Sequence, residues 1–257
     1  MRRTERDRRI GAAIVALVIA TFCLFARPAM AGEEVDAIVV LAADVSRSID
    51  DSEFDLQRRG YEAAIVNPKL MEAIGAGPHQ AIALCYVEWA GEGEQKIVVN
   101  WAVLRNPADA EAFAAALAAA PRAFTGRTAI GAAIDFAMAT IAAGGFSSDR
   151  KVIDVSGDGT SNQGRAAPEA RDAAVGAGAV INGLSIFNRR AAATNGYLAL
   201  HTNPPGGLQR YYRDNVIGGP GAFVLPIDDF TRFADAMIRK LIAEIANGEA
   251  PAKAPPG

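Results

Sequence analysis

The chain predicts an α/β fold of the doubly wound kind, a mostly parallel six-stranded sheet with one antiparallel edge strand and helices on both faces. Three observations carry that expectation. Strand-like and helix-like segments alternate almost from end to end, which favours right-handed crossovers onto a parallel sheet. Several strand candidates are short continuous apolar runs, the pattern of strands covered on both faces. The 257 residues are 51% hydrophobic but only 7% aromatic, with 25 glycines, a composition that suits helices packed closely on a sheet. That length supports one main domain with a substantial core and is short for two.

Residues 1–31 read as an export signal and stand apart from the fold. Arg2, Arg3, Arg6, Arg8 and Arg9 form a basic start, residues 10–26 are apolar except for Thr21, and Pro28-Ala29-Met30-Ala31 offers small residues for cleavage. Cleavage after Ala31 is expected, and with it a periplasmic or secreted protein. The competing reading is an uncleaved membrane anchor, since the apolar run approaches the roughly 17 residues that span a bilayer. Six arginines leave with the segment against Glu5 and Asp7, so the formal charge moves from −3 to −7. An acidic protein without a basic stripe excludes the nucleic-acid-binding class. Cys85 alone remains, in an apolar run that reads as buried packing, and permits no internal disulfide.

From Ala37 to Ala43 a β-branched apolar run predicts the first strand. Asp50 and Glu53 form a capping-box pattern, after which Phe54, Tyr61 and Ile65 share a helical face that Gln57 and Arg58 interrupt. Residues 80–90 and 95–102 predict a hairpin around Gly91-Glu92-Gly93. Helices are expected over Pro107–Ala120 and Ala129–Ala143, a short buried strand over Lys151–Ser156, a helix over 168–178 and a strand over Val180–Phe187. Ala222–Ile227 predicts the last strand, before a helix from Asp229 to about Ala246. The fold is thereby bounded at 35–246. The tail 247–257 carries three prolines and no apolar pattern, which predicts disorder.

The chemistry gathers where the first strand ends. Asp44-Val45-Ser46-Arg47-Ser48 places a carboxylate and two hydroxyls at alternating positions, at the carboxyl end of a strand where doubly wound sheets present ligands. Hard oxygens of this kind suit a hard cation. Thr128 follows Gly126-Arg127 just before a helix, and Asp158 follows the strand that ends at Ser156, so both offer oxygen from loops. The histidines His79 and His201 and the thiol of Cys85 are scattered in sequence, which argues against zinc. The bland alternative for the serines is turn or helix capping, and for Arg47 a solvated loop charge.

Together these residues resemble the metal-ion-dependent adhesion site of the von Willebrand factor A family, over roughly residues 35–246. The resemblance implies that Ser46, Ser48 and Thr128 coordinate an ion through their hydroxyls. Asp44 and Asp158 would bind it directly or through water, and an Asp or Glu of a protein partner would complete the shell. The ion implied is Mg2+, with Mn2+ or Ca2+ as alternatives. Leu41–Asp50, Asp154–Gly159 and Tyr211–Gly219 are further similar to an exported bacterial branch of unassigned function. Two positions depart from the usual pattern: Gly157 precedes Asp158 where a hydroxyl is common, and Ile130 stands two residues after Thr128.

The function expected is capture of a protein ligand, without enzymatic activity, because no Ser/His/Asp arrangement and no glycine-rich phosphate loop accompanies the site. The alternative is a metal-dependent hydrolase such as a phosphoesterase. Residues 188–221 form an unusually long connection, whose first part, Asn188 to Pro205, is expected to border the partner site. The competing reading is a surface loop holding a short helix around Leu208–Asn215. Asp50 and Asp51 are read as helix caps, Trp89 and Trp101 as packing, and His79 as a loop residue.

Overall fold

The computed structural model describes residues 32–193 and 196–246. The export segment expected at 1–31 and the tail at 247–257 lie outside the described residues. Within them, the six-stranded sheet is ordered β4-β3-β2-β6-β7-β8. Its strands are β2 (Ala37–Asp44), β3 (Ile82–Trp89), β4 (Gln95–Leu104), β6 (Lys151–Gly157), β7 (Ala179–Ile186) and β8 (Val224–Ile227). All neighbours pair in parallel except β3 and β4, the antiparallel hairpin at one edge. A further two-residue pair, β1 (Glu33–Glu34) with β5 (Phe146–Ser147), lies outside this sheet.

Alternation along the buried strands feeds two cores. Ala37, Val39 and Leu41 of β2 face one side with Leu84 of β3, while Ile38, Val40 and Ala42 face the other with Cys85. The first side is covered by α1 (Asp51–Ile65), α2 (Pro68–Gly75), α3 (Pro107–Ala119) and α9 (Phe233–Ala246), which contribute Tyr61, Leu70, Phe113 and Phe233. The second is covered by α4 (Ile130–Ala143), α5 (Ala167–Gly176) and α8 (Leu208–Asn215), which contribute Ile134, Ala170 and Tyr212. Each fully buried Leu, Ile, Val or Phe is worth about 1.5–3 kcal/mol, so the two layers together clamp the sheet. Trp89 is part of the second core, and Trp101 packs edge-on against Phe146.

The interruption in the stripe of α1 has a structural cause. Gln57 and Arg58 are buried, not solvated. Gln57 Nε2 donates to Ser156 Oγ at 3.2 Å, and the Arg58 guanidinium pairs with Glu88 while donating to the Leu117 and Ala120 carbonyls. A buried pair of this kind costs about 3–5 kcal/mol if one member is removed. Helix α2 and the β1–β5 pair were not anticipated from sequence, being too short to carry a period.

The chain enters the domain and leaves it on the same side. Arg150, just before β6, donates from Nη1 to the Ile245 carbonyl at 2.8 Å and from Nη2 to the Glu244 carbonyl near the end of α9. A cleft there is lined by Val35, Ile74, His79, Arg150 and Ile245. This is the amino-terminal edge of the strands.

Candidate metal centre

Sheet order determines where loops converge. The chain runs from β2 to β3 and β4 on one side, then crosses to β6, β7 and β8 on the other, so the order reverses between β2 and β6. Register pairs Ala43 with Ser156, which brings the loops that begin at Asp44 and at Asp158 to the same crevice. A crevice at such a switch point is the standard ligand position of an open α/β sheet.

Three of the residues singled out above form a chain of contacts there. Ser46 Oγ lies 3.1 Å from Ser48 Oγ, and Ser48 Oγ donates to Asp158 Oδ1 at 2.6 Å. Asp44 Oδ1 accepts from the Ser46 backbone N–H at 2.7 Å, while its Oδ2 is buried without a hydrogen-bond partner. Asp44 and Asp158 are both fully buried. Burial, then the charge of Asp158, pushes the Asp44 carboxyl up to about 8. Burial pushes Asp158 up to about 6, opposed by hydrogen bonds from Ser48 and Asn188. Two desolvated carboxyls side by side, one with an orphaned oxygen, are the environment that a cation relieves.

Thr128 reaches the same rim through backbone ties. The carbonyl of Trp89 accepts from Val45 N, the carbonyl of Ala90 accepts from Ala129 N, and that of Gly126 accepts from Arg47 N, at 2.9, 2.8 and 3.0 Å. The Thr128 loop is thereby stitched to both β3 and the serine loop. Its hydroxyl lies 3.2 Å from His201 Nε2 and is not hydrogen-bonded to Ser46, Ser48 or Asp158. The backbone of Thr128 is held by Asn162, which accepts from its N–H and donates to its carbonyl.

Two arginines tie down the carbonyls of the serine loop. Arg122 Nη2 donates to the carbonyls of Val45, Ser46 and Ile49 at 2.9, 3.1 and 2.8 Å. Arg190 Nη2 donates to the Ser48 carbonyl and to Glu53, and its Nε lies 2.8 Å from Asp50. Asp50 also caps α1 in the capping box expected with Glu53. Arg47 and Arg127, between the ligand candidates, are exposed, and no ion pair is formed by either among the described residues.

The long connection after β7 borders the site over part of its length. Asn188 Nδ2 donates to Asp158 Oδ2 at 2.7 Å and to the Ser48 carbonyl. Helix α7 (Gly196–Thr202) sets His201 against Thr128, and α8 falls on Leu208–Asn215. The first part of the segment thus adjoins the candidate ligands, and the short helix expected at Leu208–Asn215 forms but packs Leu208 and Tyr212 into the second core instead of lying on the surface. His201 is the residue that sequence reasoning treated as scattered; the fold brings it to the site, where burial lowers its pKa.

Gly157, the first departure from the usual pattern, has a steric reason. A Cβ there would sit 2.5 Å from Tyr212 Oη and 2.9 Å from Asp44 Oδ2, so the place of a side chain is taken by a buried tyrosine. Ile130, the second departure, is buried in the second core. Among the described residues no group of three or more His, Cys, Asp and Glu side chains assembles, so any ion held here depends on hydroxyls as well as carboxylates.

Sheet order and the antiparallel edge give the chain a von Willebrand factor A-like fold. More narrowly, the chain belongs to the family described as "Protein of unknown function (DUF1194)", which matches residues 34–249. No curated protein sequence matches the chain. Among solved structures it is similar to proximal thread matrix protein 1 from the mussel byssus, in a form with a zinc-occupied metal-ion-dependent adhesion motif, at 12% identity and a TM-score of 0.58 over 84% of this chain and 49% of that one. The von Willebrand factor type A protein of Catenulispora acidiphila matches at 14% identity and a TM-score of 0.56 over 82% of this chain and 43% of its own. The pilus adhesin SpaC of Lactobacillus rhamnosus GG matches at 14% identity and 0.58 over 82% and 30%. This chain thus spans about half or less of the length of those proteins, and the likeness is one of fold.

Proposed function

We propose that this protein is an exported module that captures a protein ligand through a divalent ion held by Asp44, Ser46, Ser48, Thr128 and Asp158. The observation that carries the reading is the buried crevice in which Ser46, Ser48 and Asp158 touch while Asp44 Oδ2 has no partner. A bound Mg2+-class ion, with Mn2+ or Ca2+ as alternatives, would supply positive charge and a free coordination position for an Asp or Glu of the partner. The three hydroxyls would donate lone pairs, and the two carboxylates would balance the charge. Asn188 would hold Asp158 in place from behind.

The surroundings support an anionic partner. Arg47 and Arg127 flank the buried ligand candidates from adjacent loops and are exposed, available for planar, two-point pairing with carboxylates. Of the three exposed large hydrophobics among the described residues, Tyr197 and Leu200 lie on α7, the helix that sets His201 on Thr128. The adhesin and matrix proteins of similar fold agree with binding rather than turnover, and the hydroxyl-rich donor set lacks the carboxylates and histidines that hydrolytic metal centres gather. The export pattern read at 1–31 supports a module that acts in the periplasm or outside the cell.

Calorimetry tests the site and capture from envelope extract tests the role. Wild type should bind Mg2+ or Mn2+ and retain a partner that chelator releases, and Asp44→Asn should lose both. Wild type showing no heat with any of the three ions at millimolar concentration removes the proposal. Metal-dependent phosphoester turnover abolished by the same substitution would move the protein to the hydrolases.

A further inference from the structure

We infer that His201 is a positioning residue of the metal centre, its neutral Nε2 accepting the Thr128 hydroxyl proton so that the hydroxyl lone pairs face the ion. The inference rests on the metal-site reading above and adds a residue that the adhesion-site pattern does not contain. Nε2 is 3.2 Å from Thr128 Oγ1, and Nδ1 is 3.2 Å from Thr160 Oγ1. The imidazole is thus spanned between two hydroxyls, one on each loop that borders the crevice.

Its placement is built from several directions. The Thr160 backbone N–H donates to the His201 carbonyl at 3.0 Å, tying α7 to the loop after Asp158. Tyr197, one turn earlier, stacks on the ring with centroids 6.0 Å apart and planes 3° apart. Gly159 leaves the space the ring uses, since a Cβ there would run into Nε2. The side chain is only 5% exposed, which keeps competing water from the hydroxyl.

The direction of the hydrogen bond follows from electrostatics. Were Nε2 the donor, it would occupy a lone pair of Thr128 Oγ1 and leave the hydroxyl proton free to point at the ion. A cation repels that proton and selects the opposite arrangement, with Nδ1–H donating to Thr160 and Thr128 donating to Nε2. The backbone N–H and carbonyl of Thr128 are both committed to Asn162, so the only freedom left to the residue is its hydroxyl rotor. Partners that orient a ligand in this way typically change metal affinity about 10- to 100-fold when removed.

The test is a double-mutant cycle on the full chain, read by calorimetry with Mg2+ and Mn2+. His201→Ala should weaken ion binding about tenfold or more, Thr128→Val should weaken it at least as much, and the double variant should match Thr128→Val alone. His201→Gln, whose amide oxygen can accept at the Nε2 position, should recover most of the affinity. Melting measured in chelator separates this from loss of structure, because the Gln and Ala variants should melt alike while binding differently. Unchanged affinity in His201→Ala, or losses that add in the double variant, would overturn the assignment. Nitrogen couplings in the pulsed EPR spectrum of the Mn2+-loaded wild type would also overturn it, by making His201 itself a ligand. Failure of wild type to bind any ion would remove the metal centre and this role together, which distinguishes that result from failure of the role alone.

Discussion

A single missing side chain shapes the crevice. Tyr212 Oη and Asp44 Oδ2 both crowd the place where a Cβ of residue 157 would stand, and neither atom has a hydrogen-bond partner. Gly157→Ser should therefore displace one of them, lowering stability by about 1–3 kcal/mol and weakening ion binding through the shifted Asp44 carboxylate. Chemical denaturation and calorimetry on the same variant check the two effects; lost stability with unaltered affinity would mean that Tyr212 alone gives way. At this scale the sequence was legible where the chemistry is local. Asp44, Ser46 and Ser48 lie within five consecutive residues at a strand end, and alternation alone predicts their shared direction. Asp158 was legible because it follows a short strand directly. His201 was not, since it meets Thr128 across 73 residues from inside a connection that has no period to place it. Gln57 and Arg58 likewise looked like a flaw in an apolar stripe, because sequence does not show that their partners, Ser156 and Glu88, are buried opposite them.

Two elements carry separable roles. Helix α7 turns His201 inward and Leu200 outward, so Leu200→Ala should reduce partner retention several-fold while the ion affinity stays at the wild-type value. Equal loss of both would show that the helix only supports the centre. Helix α9 carries a buried charge cluster against β6. Lys240 Nζ is 2.7 Å from Asp154 Oδ1 and also pairs with Glu244, and all three are buried. Burial, then the charge of Asp154, pushes Glu244 up to about 7, against Lys240 and a hydrogen bond from Asn182. A carboxyl whose pKa rises on folding stabilises the native state below its unfolded value, and that contribution is lost as pH climbs through the folded one. Between pH 4.5 and 7 wild type should lose stability with a slope of up to about 1.4 kcal/mol per pH unit relative to Glu244→Gln. Denaturation midpoints in chelator at a series of pH values measure it, and parallel curves for the two proteins would contradict it. Asp44 and Asp158 carry shifts of the same sign in both proteins and cancel, so the comparison reads Glu244 together with its buried neighbour Asp154.

For the molecule as a whole, order was more legible than extent. The six strands and their antiparallel edge follow from apolar runs and one glycine-marked turn, whereas α2 and the β1–β5 pair are too short for periodicity to reveal. Ion binding to the folded chain should be visible in its stability. At a hundred times the dissociation constant, an ion that binds only the folded chain adds about 2.7 kcal/mol, which for a domain of this size is roughly 5–10 °C in melting temperature. Wild type with and without Mg2+ should show that gap, Asp44→Asn should not, and equal melting of wild type in both conditions would speak against a site of useful affinity.

The first described strand pairs with Phe146–Ser147 and the last helix is held by Arg150, both just before β6 on the amino-terminal edge of the sheet, a full strand length from the serine loop. Both ends of the described domain therefore lie on the edge of the sheet away from the crevice. A surface-immobilised or fused copy, attached at residue 33 or at residue 246, would present its crevice outward with nothing of the attachment in the way, as a grip on a handle faces away from the hand.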